Sequence, residues 1–390
     1  MISGEDIVCI APNLWNEMWR RRHYLMTRFA RDNRVLWIEP PRFFLFPWLD
    51  VRGPRPRGSL SQVRDNLYVY QLRNPFPLGE SALRRGIGLI QKLNERCCVL
   101  QVKSVMRYLE FTSPVLWLYY TEISERLIGQ CNEKLAICDV FDKYSAYPCY
   151  DPWGARRVEA QEEQLLHRVD LVLAVSEPLC AYCQQFSKEV FLVPNGVDLA
   201  LYEAPGPPPD DIAAIPHPIV GFTGKIASNK IDLGLLRYLV EKRPEWSVVL
   251  IGPVFPDLQR VIAGWQKYQN LHLLGQKDLW QLPAYLGAFD VCIIPYLRNE
   301  ERLHCDPLKA YEYLAAGKPI VASDFSPAFA LKDLMEVASS PEEFVSRIEE
   351  SLKKDNEALK RKRIDVARQN SWDTRVKNIS RVIESYLMVK

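Results

Sequence analysis

A chain of 390 residues is longer than one hydrophobic core usually serves, so two domains of ordinary size are expected. With 48% hydrophobic and 25% charged residues, the composition is that of a folded globular protein and excludes a chain dominated by disorder. The net charge of +2 hides an uneven spread, because Arg20 to Arg107 carries 18 Lys/Arg against 6 Asp/Glu.

From the start of the chain, the short apolar stretch Met1 to Ile10 is interrupted by Glu5 and Asp6 and lacks the pattern of a secretory signal. No later run approaches the roughly 20 apolar residues that cross a bilayer. A cytoplasmic protein is expected, with a peripheral place at the inner face of a membrane at most. Ile7 to Ala11 and Val35 to Ile38 read as buried strands, separated by a helical stretch in which Tyr24, Leu25, Phe29 and Ala30 recur at helical spacing. His23, in the run Arg20-Arg21-Arg22-His23, is expected on a face of that helix. Further strands are expected at Leu67 to Gln71, Val115 to Tyr119, Leu135 to Cys138, Leu171 to Val175 and Val190 to Val193. Strands alternating with helices predict a parallel sheet covered on both faces. The six prolines between Pro205 and Pro218 read as a linker after a first domain of residues 1–204.

Beyond the linker the alternation restarts, predicting a second doubly wound α/β domain over residues 219–370. Its strands are expected at Ile219 to Thr223, Ser247 to Ile251, Leu271 to Leu274, Val291 to Ile294 and Pro319 to Ser323. Helices are expected at Leu233 to Glu241, Leu279 to Leu286 and Leu308 to Ala316, and again from Pro341. A C-terminal helix near Arg375 to Met388, within residues 371–390, is free to return to the first domain. Ten cysteines show no paired metal-type spacing, and the single C-x-x-C at Cys180 and Cys183 falls on an apparent helix, so reduced thiols are expected.

Two open α/β sheets place ligands at the carboxyl ends of their strands. In the second half, Gly221-Phe222-Thr223-Gly224-Lys225, with Lys230 beyond it, ends a strand in a glycine turn flanked by lysines suited to a diphosphate; a tight connection with solvated lysines reads equally well from these residues alone. In Asp306-Pro307-Leu308-Lys309-Ala310-Tyr311-Glu312, Asp306 is expected as N-cap and Pro307 in the first turn. The amides of Leu308 and Lys309 would then point outward toward phosphate oxygens, and Glu312 could accept from ribose hydroxyls.

The run Asp306 to Pro319, with Gly224-Lys225 and Lys230, Asp290 to Pro295, and Pro194-Asn195-Gly196-Val197-Asp198, resembles the retaining GT-B glycosyltransferases of family 4. Order and spacing agree from about Asp170 to Ser323, and Ser371-Trp372 is similar to the family's final helix. The resemblance implies a GT-B fold, two Rossmann-like domains facing across a cleft. It also implies a transferase that moves a sugar from a UDP- or GDP-sugar to a saccharide or lipid-linked acceptor, with retention, in surface polysaccharide or glycolipid assembly. Lys225 and Lys230 would hold the diphosphate, Lys225 standing where an arginine is usual. Gly275, Gln276 and Lys277 would lie beside the base, and Glu312 would be the second acid of the Glu-x7-Glu motif. The first acid is missing: His304 stands there, and either His304 or Asp306 would fill its contact to the donor sugar or the loop would be rearranged. No cofactor or metal is implied, since lysines and a helix end supply the positive potential.

On the first domain, Asp139 and Asp142 follow a strand, where they could bind acceptor hydroxyls or take a proton, or cap the next helix. Pro40 to Gly58 mixes Phe43, Phe44, Phe46 and Trp48 with Arg42, Arg52, Arg55 and Arg57, which suits an anionic membrane surface, though a folded loop that packs its aromatics against the first domain reads almost as well; no nucleic-acid module accompanies it, and none is expected as a partner. A sugar-nucleotide epimerase and a non-catalytic sugar-nucleotide-binding protein share the architecture. A nicotinamide oxidoreductase is disfavoured because neither first strand is followed by G-x-G-x-x-G.

Overall fold

A computed structural model describes residues 1–43, 60–75, 88–265, 267–326 and 331–389. The part of the aromatic and basic segment that runs from residue 44 to residue 58 lies outside these residues.

The first domain is a sheet of eight strands. They are β1 (Asp6–Ile10), β2 (Arg34–Phe43), β3 (Leu60–Arg64), β4 (Leu67–Asn74), β5 (Val115–Leu118), β6 (Leu135–Val140), β7 (Leu171–Ala174) and β8 (Val190–Leu192), in the order β3-β4-β2-β1-β5-β6-β7-β8. All neighbours pair in parallel except β3 with β4. The edge strand β3 escaped the sequence reading because its residues after Leu60 are exposed and carry no apolar alternation. The central strands are sealed on both faces, as parallel strands between two helix layers must be. Helix α1 (Arg21–Phe29) follows β1, and α2 (Gly88–Tyr108), α3 (Ser124–Leu127), α4 (Pro152–Arg168) and α5 (Glu177–Cys183) follow in chain order.

The proline-rich stretch is not an open spacer. A helical turn, α6 (Asp210–Ala213), buries Ile212, and Ile215 after it is buried as well, both in the second core. Asp211 pairs there with Lys277 and accepts from the Tyr285 hydroxyl. Two isoleucines three residues apart give one turn an apolar side, which a count of prolines does not show.

The second sheet runs β11-β10-β9-β12-β13-β14, from β9 (Ile219–Thr223), β10 (Ser247–Ile251), β11 (Leu271–Gly275), β12 (Val291–Ile294), β13 (Ile320–Ser323) and β14 (Glu336–Ala338). Every pair is parallel and the order is the doubly wound 3-2-1-4-5-6. Its helices are α7 (Leu233–Lys242), α8 (Gln259–Ala263), α9 (Leu282–Ala288), α10 (Glu300–Leu303), α11 (Leu308–Ala315), α12 (Pro341–Lys354) and α13 (Glu357–Gln369). Helix α9 begins later than expected, with Pro283 in its first turn, and frees Leu279 to pack against the first domain's core.

The last helix, α14 (Trp372–Val389), returns to the first domain. Trp372 is fully buried and stacks on Tyr24 with centroids 5.2 Å apart, while Ile379 and Ile383 join that domain's core. The chain therefore crosses between domains twice, and the crossings run side by side: Val197 N donates to the Asn370 carbonyl at 3.1 Å and Trp372 N to the Val197 carbonyl at 3.0 Å. The carboxyl ends of both sheets meet. Ser176 Oγ donates to the His304 carbonyl at 2.7 Å, Lys143 lies 3.4 Å from Glu300, and the Trp19 and Trp280 rings are 6.2 Å apart.

Candidate active site

Three glycines bring the carboxyl ends of β9, β10 and β11 together. Gly224 N donates to the Ile251 carbonyl and Gly252 N to the Gly275 carbonyl, each at 2.8 Å. A Cβ on Gly252, at φ 143°, would lie 2.0 Å from the Gly224 carbonyl oxygen, so only glycine permits this approach.

Lys225 and Lys309 converge on that turn. The Lys309 ammonium lies over the Phe222 and Tyr296 rings at 4.8 and 4.6 Å and donates to the Tyr296 hydroxyl. A Cβ on Gly224 would be 3.1 Å from the same nitrogen. Lys225 sits 5.5 Å above the Phe255 ring with no carboxylate ion pair among the described residues. Burial, then the positive charges of Arg20 and Lys230, hold its ammonium down at about 8. Lys230 is partly neutralised by buried Glu301, 3.6 Å away, which also binds Arg302. Lysines held unpaired or half-paired beside the open amides of α11 form a site for an anion.

A pH dependence follows from Lys225. Below pH 8 it is charged with or without ligand and adds no dependence. Above pH 8 the free protein must take up a proton to bind an anion, so affinity for a nucleoside diphosphate is expected to fall by up to about tenfold per pH unit. Calorimetric titrations between pH 7 and 9.5 read this, and Lys225→Arg is expected to flatten the profile.

Glu312 lies one turn beyond Lys309 on α11, half-buried, with no hydrogen bond or ion pair to its carboxylate among the described residues. Burial pushes its carboxyl up, and Lys309 opposes this. Leu308 packs against the first domain's core, so the start of α11 also joins the two halves. Asp306 is not the N-cap. Pro307 takes that position, without a side-chain cap. The Asp306 carboxylate turns away because better donors are at hand: Asn195 N donates at 2.6 Å and the Tyr311 hydroxyl at 3.0 Å, while the Asp306 carbonyl accepts from the Asn195 side chain at 2.6 Å. It is thereby spent on the first domain crossing. His304 caps the end of α10, with Nδ1 2.9 Å from the Glu300 carbonyl oxygen. At the far end of the sheet Gln276 is exposed, and Lys277 is engaged by Asp211.

On the first domain the two aspartates separate. Asp139 neither faces the cleft nor caps a helix. It is buried inside β6, accepting from Arg21 Nε at 2.9 Å and from the Tyr119 hydroxyl at 2.7 Å. A buried carboxylate needs such partners, and Arg21 supplies the charge. Asp142 remains at the cleft, accepting from the Tyr147 hydroxyl at 2.7 Å, with Lys225, Arg302 and Cys305 in its electrostatic reach. His23 is buried at the floor beneath. Its Nδ1 accepts from Arg20 N at 3.1 Å, which leaves Nε2–H for the Trp15 carbonyl at 3.2 Å, and burial holds it down at about 3. Sequence reasoning missed Arg20, Tyr296 and the Glu301–Arg302 pair, and met Asn195 only as part of a motif with no partner assigned; the tripled arginine before His23 hinted at the first.

Two doubly wound sheets joined by paired crossings, with a final helix returned to the first sheet, define the GT-B fold. Residues 217–354 match the family model of glycosyl transferases group 1. Among curated proteins the chain is similar to TuaH of Bacillus subtilis (strain 168), named, provisionally, as a teichuronic acid biosynthesis glycosyltransferase. That likeness is 24% identity over 253 residues, and the match spans 58% of this chain and 63% of TuaH. Among solved structures it is similar to sucrose-phosphate synthase of Thermosynechococcus elongatus, with TM-score 0.72 and 16% identity over 99% of this chain and 100% of that one. It is also similar to HepE of Anabaena in complex with UDP and glucose, with TM-score 0.68 and 15% identity over 98% and 100% of the two chains.

Proposed function

We propose that this protein is a glycosyltransferase that takes a sugar from a UDP- or GDP-sugar and passes it, with retention, to a saccharide or lipid-linked acceptor in surface polysaccharide or glycolipid assembly. The observation that carries the proposal is the convergence of Gly224, Lys225, Lys230 and Lys309 on the start of α11, with Glu312, unpaired among the described residues, one turn in. The diphosphate would lie against the lysines and the amides of Leu308 and Lys309, with the ribose on Glu312 and the base toward Gly275 and Gln276. HepE, solved with UDP, and TuaH, named for a polysaccharide, favour this donor and this role. Asp142 would meet the acceptor hydroxyl, and His304 the donor sugar. The positive charge comes from side chains, and no metal is invoked.

Calorimetry against UDP, GDP, their sugars and NAD(H) tests the donor. One nucleoside diphosphate is expected to bind selectively, with Glu312→Ala weakening it by about tenfold or more through a lost charge-assisted hydrogen bond. NAD(H) binding with no response to UDP or GDP would overturn the reading.

An anionic membrane surface is part of the proposal. Helix α2 leaves Leu89, Leu93, Leu100 and Tyr108 exposed among Lys92, Arg96, Lys103 and Arg107. No helix among the described residues is long and apolar enough to cross a membrane. Co-sedimentation with phosphatidylglycerol vesicles but not with phosphatidylcholine vesicles is expected, and Leu89→Glu with Leu100→Glu is expected to abolish it.

A further inference from the structure

The wall of the cleft facing Lys225 carries more positive charge than a sugar's hydroxyls require. Arg22, at the start of α1, is 2% exposed. Its guanidinium packs 4.7 Å from the Phe141 ring centroid and 5.1 Å from that of Tyr119, and Nε donates to the Asn13 side chain. Arg20, the residue before the helix, lies within electrostatic reach of Arg22 and of Lys225. Neither Arg20 nor Arg22 forms an ion pair with a carboxylate among the described residues. The contrast with Arg21 between them is direct, because Arg21 is matched by Asp139 at 2.9 Å.

A buried guanidinium without a counter-charge is costly, and two aromatic faces offset only part of the cost. Burial and Arg22 both work against the charge on Arg20, and Glu17 offsets them only in part. The Tyr144 hydroxyl, within electrostatic reach of both arginines, is buried and has no hydrogen-bond partner among the described residues. Two arginines that follow β1 and an unused hydroxyl that follows β6 are the donor set that binds an oxyanion. Asp142, two residues before Tyr144, stands at the edge of this seat.

We infer that Arg20, Arg22 and Tyr144 bind a phosphate or carboxylate group on the acceptor, so that this protein glycosylates an acidic sugar or a sugar phosphate rather than a neutral one. The inference rests on the transferase reading above. The seat holds the acceptor by its charge and leaves a neighbouring hydroxyl at Asp142, facing the donor on Lys225.

The test is calorimetry on the full chain saturated with whichever of UDP or GDP binds, so that the donor site is filled. Glucuronic acid and glucose 1-phosphate serve as charged probes and methyl α-glucoside as the neutral one. At least one charged probe is expected to bind about tenfold tighter than the neutral probe, as charge-assisted hydrogen bonds predict. Preference for the carboxylate or for the phosphate identifies the anion. Arg20→Ala and Arg22→Met are each expected to remove the preference while nucleotide affinity stays within about threefold, a change too small for the loss of a direct phosphate contact. Tyr144→Phe deletes only the hydroxyl and is expected to weaken the charged probe alone, which keeps the test decisive should Arg22→Met fail to fold. Equal binding of charged and neutral probes would overturn the inference. So would variants that lose nucleotide affinity, since the arginines would then serve the donor. If neither UDP nor GDP binds, the transferase reading fails; the nucleotide-free protein still judges the seat by the same comparison of probes.

Discussion

Asp306→Ala is expected to destabilise the protein by about 3–5 kcal/mol, the range for removing one partner from a buried charged network. The Asp306 carboxylate satisfies the backbone of Asn195 and the Tyr311 hydroxyl, and Arg375 Nε donates to the Asn195 carbonyl at 2.9 Å beside it. Truncation leaves those donors buried and unmatched. Asp306→Asn should cost far less, because its amide oxygen can accept from Asn195 while its nitrogen donates to Tyr311. The pH dependence separates the two variants further. Burial pushes the Asp306 carboxyl up to about 6, above its ordinary value of 3.8, so the stability it contributes is full below pH 3.8 and is lost as pH rises through 6. The wild type's advantage over Asp306→Asn is therefore expected to shrink by roughly 3 kcal/mol between pH 3.5 and 7.5. Urea midpoints at the two pH values measure it, and a constant gap would refute the assignment.

Gly252→Ala is the second large effect, expected to cost about 3 kcal/mol or more and to weaken nucleotide binding at least about tenfold. The obstacle is backbone: the added carbon would meet the Gly224 carbonyl at 2.0 Å, and φ is 143°. No rotamer change relieves such a contact. Either β9 moves away from β10, carrying Lys225 out of place, or the turn does not form. Gly287→Ala is the control, since nothing lies within 4 Å of its added Cβ and its place within α9 favours alanine. Thermal unfolding of both variants, with nucleotide titration of whatever folds, distinguishes site distortion from global loss.

The central strands were legible because both faces of a parallel sheet are buried, so Val115 to Leu118 or Val291 to Ile294 are apolar throughout. The edge strands β3 and β14 were not, because polar and exposed residues break up their apolar pattern, whereas the edges β8 and β11 keep short apolar runs. The lysine turn at β9 and the start of α11 could be read locally, since glycine, lysine and proline mark positions where backbone and charge have few alternatives. The local reading of Asp306 as N-cap failed for a physical reason: a cap competes with every other donor in reach, and Asn195, 111 residues away in sequence, lies within 2.6 Å.

The sequence by itself determined two doubly wound domains, their order, and a basic turn paired with a helix start, because each follows from periodicity and from residues within one element. Only the tertiary structure decided which charges meet. Asp139 found Arg21 across 118 residues of chain and left the cleft, Lys277 found Asp211, and Arg20 and Arg22 were left without an ion pair among the described residues. Charge pairing depends on distances between elements, and those are set by how the sheets and the returning helix pack.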